Sequence, residues 1–346
     1  MDLPSSDGVA PPSWRLEQGE AHLVVDAIGA TIRSWVVPVP GEAPREIVLG
    51  FASEEAYTEN PVFMGCAIGP YANRIADAQV TVGDSDGQVA TWAFERNDGR
   101  HHLHGGEAGF HRARWQGTQP APELLLLRYQ HPDGWGGYPG PIDVTLSIAL
   151  TDAGTVTLTW QGISPQRTLF NPTQHTYFNL DGDSPHPSIL GHRLQLHTAA
   201  VHLPDETLIP HVDPTPLEDS IFATFGVGCT LSEFYRAHPA SRLDHHFAGR
   251  PQRGSLRPLA SLSSSDGKVH VDVDADTHGI QVFGGHWGAR SFVGRTSHQY
   301  LRDRAGICLE TQDLPSGMQH DASSDSWLQA HAPKTTTTRY SIRTNG

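Results

Sequence analysis

IDVTLSIALTDAGTVTLTW, residues 142–160, decides the fold. Ile142, Val144, Leu146, Ile148 and Leu150 stand at every second position, the period of a strand with one buried face. Thr151-Asp152-Ala153-Gly154 supplies turn residues. Val156, Leu158 and Trp160 resume the alternation on the way back, so the stretch predicts a β-hairpin with one side buried.

The same period recurs outward from this hairpin, at Val269, Val271 and Val273 and at Leu194 and Leu196. No stretch sustains apolar residues at i, i+3, i+4 and i+7 over several turns. The segment around Leu217 to Phe225 has room for a turn or two of helix, and little else does. With 35 Gly and 26 Pro, the 346 residues hold too many breakers for long helices. The expectation is an all-β protein with little helix, a sandwich or barrel of many short strands. The Pro-rich patches at Pro38–Pro44 and Pro210–Pro216 are too short for linkers, and Ser261–Ser265 reads as a loop tip. Residues 1–346 are therefore expected to form one domain. The opening MDLPSSDGVAPPSW, residues 1–14, lacks the basic start and apolar run of a signal peptide and reads as a flexible lead-in.

Lys and Arg number 24 against 38 Asp and Glu, a formal charge of −14. That balance argues against a nucleic-acid partner, which needs a basic footprint. No run approaches the ~18 apolar residues of a spanning helix, so no membrane partner is expected. Cys66, Cys229 and Cys308 are odd in number and show no CxxC spacing, so neither a disulfide framework nor a zinc knuckle is indicated, and the reducing cytoplasm is the simplest location. The 21 histidines are scattered through the chain.

Two stretches stand out for chemistry. In NPTQHTYFNL (171–180), His175 sits among Thr173, Gln174 and Thr176 and is followed by Tyr177 and Phe178. The aromatic and β-branched neighbours favour a strand, on which His175 would share a face with Thr173 and Tyr177. A histidine there can donate a proton near neutral pH, or can be a packed core residue. In ICLETQDLPS (307–316), the apolar run Ile307, Cys308, Leu309 ends at Glu310. A carboxylate at the end of a buried strand is partly desolvated and becomes a more useful base, unless it is a salt-bridged edge residue.

Weaker signals surround these two. GPYANRI (69–75) delivers Asn73 and Arg74 after an apolar approach through Phe63, Met64, Ala67 and Ile68. An arginine there suits a sugar hydroxyl or carboxylate, or a structural ion pair. HHLHGGEAGF (101–110) follows His104 with a glycine pair that permits close backbone approach. DGWGGYPGP (133–141) offers aromatics that suit an apolar sugar face. LDHHF (243–247) sets Asp244 beside two histidines, and GIQVFGG (279–285) carries Gln281 in a strand-like run. His102, His104, Glu107 and His175 also admit a metal-binding reading.

Jointly and in order, these segments resemble the aldose 1-epimerases, the galactose mutarotases. The likeness begins at Gly29-Ala30-Thr31-Ile32 and Val48-Leu49-Gly50-Phe51. It runs through GPYANRI, HLHGG, GYPG, the His175 stretch and DHHF to ETQ at 310–312. It implies a large β-sandwich, the mutarotase-like supersandwich, with an open cleft in which the anomers of a free aldose such as galactose or glucose interconvert without a cofactor. It implies Glu310 as general base, His175 as general acid, and Asn73, Arg74, His104, Asp244 and Gln281 as residues that hold the sugar. The sequence leaves a monomer or homodimer open. Pro70, His246 and His286 depart from the usual pattern and bear on which sugar fits. The rivals are a carbohydrate-binding or regulatory module without catalysis, and a metal-dependent β-sandwich enzyme.

Overall fold

In the computed structural model the described residues are 12–83, 89–249, 254–321 and 324–346. The hairpin forms as its spacing requires. Ile142–Thr151 pairs antiparallel with Thr155–Ile163 around the turn at 152–154, with Leu146 opposite Trp160 and Leu150 opposite Val156. All eight apolar side chains of the pattern are buried. These strands lie inside a nine-stranded sheet that also contains Leu124–His131, Lys334–Thr344, Val269–Ala275 and Arg193–Leu196.

A six-stranded sheet faces it. Its central strands are Asp244–Ala248, Gly279–Phe283 and Ile307–Gln312, with Tyr177–Phe178 along one edge. Alternation gives this sheet two faces. Phe247, Ile280, Val282, Ile307 and Leu309 join one core with Leu146, Ile148, Trp160 and Tyr340 of the larger sheet. Across the interface, the Tyr340 hydroxyl donates to the Leu309 carbonyl at 2.9 Å, and the hydroxyls of Thr311 and Thr338 meet. The opposite face carries Gln281, Phe283, Cys308 and Glu310, and His175 meets the last three of them. A four-stranded sheet that begins at Ser13–Gln18 and Ala21–Asp26 closes one side of the core.

Several expectations are corrected. Ser13 and Trp14 are not lead-in: they start a strand paired with Asp26 and Val25, and Trp14 packs on the main core, while residues 1–11 lie outside the described residues. Arg257–Ser263 is a strand, so the loop tip begins only at Ser264. Short helices form at Thr224–Val227, as expected, but also at Glu54–Glu59 and Leu231–Ala237. The last is held by a reciprocal cap between Thr230 and Glu233, the Thr-x-x-Glu signature of a helix start.

Candidate active site

His175 does not ride on one continuous strand. Thr173–Gln174 pairs with Ala67–Ile68, whereas Tyr177–Phe178 pairs with Ile307–Cys308 in the six-stranded sheet. The chain changes partners at His175. There its N–H donates to the Cys66 carbonyl at 2.9 Å and its carbonyl accepts from Gly65 N–H at 3.0 Å. Gln174 pins the approach by donating to the carbonyls of Gly65 (2.7 Å) and Ala30 (3.2 Å). The imidazole is thus fixed at a switch between two sheets, packed against the rings of Phe63, Tyr177 and Phe283.

Glu310 reaches the same point from the other sheet. It lies within its strand rather than at its end, and every residue of Ile307–Gln312 is buried. His175 Nε2 stands 3.7 Å from Glu310 Oε1, with the side chains 6% and 2% exposed. Glu310 Oε2 is buried with no hydrogen-bond partner among the described residues. Gln281 sits directly opposite Glu310 in the ladder. Its Nε2 donates to Asp244 Oδ1 at 2.7 Å, and its Oε1 is likewise buried without a partner. Buried polar atoms are normally satisfied, so two orphaned acceptors side by side mark a place where something polar binds.

The loops supply the remaining candidates. Asn73 and His104 both take left-handed backbone, at φ 63° and 54°. Such conformations are costly outside glycine and gather at functional sites. Asn73 N–H donates to His104 Nδ1 at 3.1 Å, which leaves the His104 proton on Nε2. The glycine pair makes this turn possible. A Cβ on Gly105 would lie 2.1 Å from the Gly69 carbonyl oxygen. Arg74 makes the structural ion pair that its sequence setting allowed. Its Nε donates to Asp98 at 2.7 Å, yet its charge still bears on Asp244 and His104.

Burial dominates the electrostatics. It pushes the Glu310 carboxyl well above its ordinary range, and the charge of Asp244 adds to the shift. It lowers the His175 imidazole to about 4, opposed by its own backbone carbonyl. Burial, then His175 and Arg74, hold His104 neutral. Asp244 is raised by burial and drawn back by Arg74 and Gln281. Both members of the close pair therefore favour their neutral forms, so the pair holds one transferable proton at neutral pH.

Other sequence signals fall elsewhere. His102 is committed to the Glu95 carbonyl (2.7 Å) and the Tyr138 hydroxyl (2.8 Å), and exposed Glu107 pairs with Arg112 at 3.0 Å. The metal reading of His102, His104, Glu107 and His175 is thus pulled apart. Among the described residues, the ligand atoms within mutual reach belong to His175, Cys308 and Glu310, all within 4.8 Å of one another. Tyr138 is buried beneath His102 and gives the sugar no stacking face. His246 lies buried against His278, and His286 accepts from Leu243 N–H at 3.3 Å beside a cavity of about 230 Å³. A larger cavity, about 390 Å³, opens at Arg45, Glu46 and Asp181 and contains none of the candidates. Cys308 was legible through its two-residue spacing from Glu310, but the sequence reading placed it only in the apolar run before Glu310 and among three cysteines without disulfide or zinc spacing.

A sequence profile of aldose 1-epimerases matches residues 12–341. The chain is 31% identical over 299 residues to the aldose 1-epimerase of Escherichia coli (strain K12), covering 84% of this chain and 83% of that one. It is 29% identical over 320 residues to the galactose mutarotase of Sus scrofa, covering 92% and 89%. Among solved structures, the GalM/aldose epimerase homologue from C. elegans superposes with a TM-score of 0.86 at 19% identity, covering 97% of this chain and 100% of that one. The galactose 1-epimerase from Lactobacillus acidophilus NCFM gives 0.82 at 22%, covering 100% and 98%. At these identities the structural likeness carries the fold, and it bears out the mutarotase-like sandwich.

Proposed function

The chain belongs to the aldose 1-epimerase family, and from that premise we propose that Glu310 and His175 carry out the interconversion of the α and β anomers of a free aldose. The reaction moves two protons at two oxygens, the C1 hydroxyl and the ring oxygen, that share one carbon. Acid and base must therefore stand beside each other rather than on opposite sides of the ring. The 3.7 Å separation of His175 Nε2 and Glu310 Oε1, in a buried setting, is the observation that carries this reading.

Glu310, as carboxylate, takes the C1 hydroxyl proton while imidazolium His175 gives its Nε2 proton to the ring oxygen. The C1–O5 bond breaks and the C1–O1 bond becomes a carbonyl. The aldehyde turns about C1–C2, and the same two groups reverse their roles as the ring closes on the other face. This charged pair differs from the neutral pair by one proton shift within the site. Opposite displacements of the two pKa values by burial keep both groups able to trade that proton. The orphaned Gln281 oxygen, Asp244, His104, Asn73 and Arg74 hold the sugar hydroxyls, and Phe283 offers an apolar face beside His175. The reading calls on no cofactor. It also takes residues 1–346 as one domain and the cytoplasm as the location. Among the described residues no helix is long and apolar enough to cross a membrane.

The test is polarimetry on freshly dissolved α-D-galactose and α-D-glucose, with and without chelator. Acceleration that survives the chelator is expected for one or both sugars. Binding without acceleration would make the chain a carbohydrate-binding module, and loss of activity with chelator would restore the metal reading.

A further inference from the structure

We propose that Cys308 is a positioning residue for His175: its sulfur accepts the Nδ1 proton and leaves Nε2 as the nitrogen that exchanges a proton with the sugar. The inference rests on the reading of His175 as the acid. Cys308 Sγ lies 3.4 Å from His175 Nδ1, and Glu310 Oε1 lies 3.7 Å from Nε2. Cys308 and Glu310 are two residues apart on one strand and share its outer face. A single strand thus addresses both nitrogens of the imidazole.

Proton bookkeeping gives this contact its importance. When imidazolium passes its Nε2 proton to the ring oxygen, the neutral ring that remains carries its proton on Nδ1. A partner that accepts at Nδ1 stabilises the imidazolium and that product tautomer alike. A thiol donating to Nδ1 would instead place the proton of neutral His175 on Nε2, and releasing it would leave an imidazolate. The tautomer of a histidine is set by the bond its other nitrogen makes. The His175 backbone carbonyl also favours a proton on the ring. Cys308 is fully buried, and burial holds its thiol protonated, so it does not act as a thiolate nucleophile. Sulfur is a weak acceptor, enough to choose the tautomer without pinning the proton as a carboxylate would.

The experiment is ¹⁵N-histidine NMR together with steady-state mutarotation on the full chain. Neutral His175 in the wild-type protein is expected to carry its proton on Nδ1. Cys308→Ala should shift that ring towards the Nε2–H tautomer and lower kcat roughly ten- to a hundredfold, as for other groups that orient a working imidazole, with KM little changed. Cys308→Ser, whose hydroxyl also accepts, should restore both. A wild-type ring protonated on Nε2 overturns the proposal, even if Cys308→Ala fails to fold. So does an alanine variant that keeps both tautomer and kcat. Full turnover by His175→Asn would instead remove the acid role, leaving the tautomer result to stand or fall separately.

Discussion

The strands Ile142–Thr151 and Ile307–Gln312 have the same pleat but opposite relations to their second face. In the first, apolar side chains are buried and the residues between them are partly or fully exposed. In the second, all six residues are buried, although Glu310 and Gln312 are polar. A strand with one wet face needs only alternation to be stable. A strand that buries polar groups on its second face holds them against their solvation, and that cost is expected where a site requires it. The hairpin teaches how the molecule folds, and the Glu310 strand carries the site proposed for its chemistry.

Acid should separate the two regions most strongly. Burial lowers His175, beside Glu310, to about 4, and lowers His102 and His111 of the 101–111 segment to about 4 and about 3, whereas residues 142–160 contain no histidine. A histidine whose folded pKa lies below its unfolded one contributes its full stability above pH 6.5 and loses it as the pH falls through 6.5 towards 4. The loss is roughly 3 kcal/mol each for His102 and His175 at pH 4. Glu310, shifted upward, acts in reverse and destabilises as the pH rises past the ordinary carboxyl range. Urea titrations from pH 7 to pH 4 should show a steep fall in unfolding free energy below 6.5. A flat profile would mean these histidines are not held neutral.

Glu310→Gln should lower turnover roughly 10²–10⁴-fold, the usual worth of one proton-transfer group. Its melting temperature at pH 7 should be equal or higher, because a desolvated carboxyl has become an amide of the same shape. Leu146→Ala is the counterpart on the hairpin, with an expected loss of roughly 2–5 kcal/mol of stability and unchanged kcat for the folded fraction. If the glutamine variant melts early, or the alanine variant is catalytically slow, the division of labour between the strands fails. Smallest is Arg74→Lys, which loses the Nε bond to Asp98 and the planar donor set proposed to hold the sugar. A rise in KM of roughly tenfold or less, about 1.4 kcal/mol, is expected with kcat kept. A fall in kcat alone would place Arg74 in the chemistry.

The hairpin was legible because both its register and its turn are local. Its predicted faces and turn coincide with the observed pairing of Leu150 with Val156 and Thr151 with Thr155. His175 and Glu310 were named from the chemistry of their neighbourhoods and from family resemblance, and the fold brings them together across 135 residues. Their side-by-side placement was not legible, because it depends on the change of strand partner at His175, a tertiary event with no periodic trace. The helix at Leu231–Ala237 was missed for another reason. At seven residues it is too short to show a period, although its Thr230/Glu233 cap was in plain view. The left-handed backbone at Asn73 and His104 is a further feature that leaves no periodic trace in the sequence.

The most direct test of the central claim is a double-mutant cycle on mutarotation with Glu310→Gln, His175→Asn and the double variant. If the two groups move protons as one unit, the double variant should be about as slow as the slower single variant. Two losses that multiply would show that imidazole and carboxyl act separately, and the paired acid–base account would be wrong.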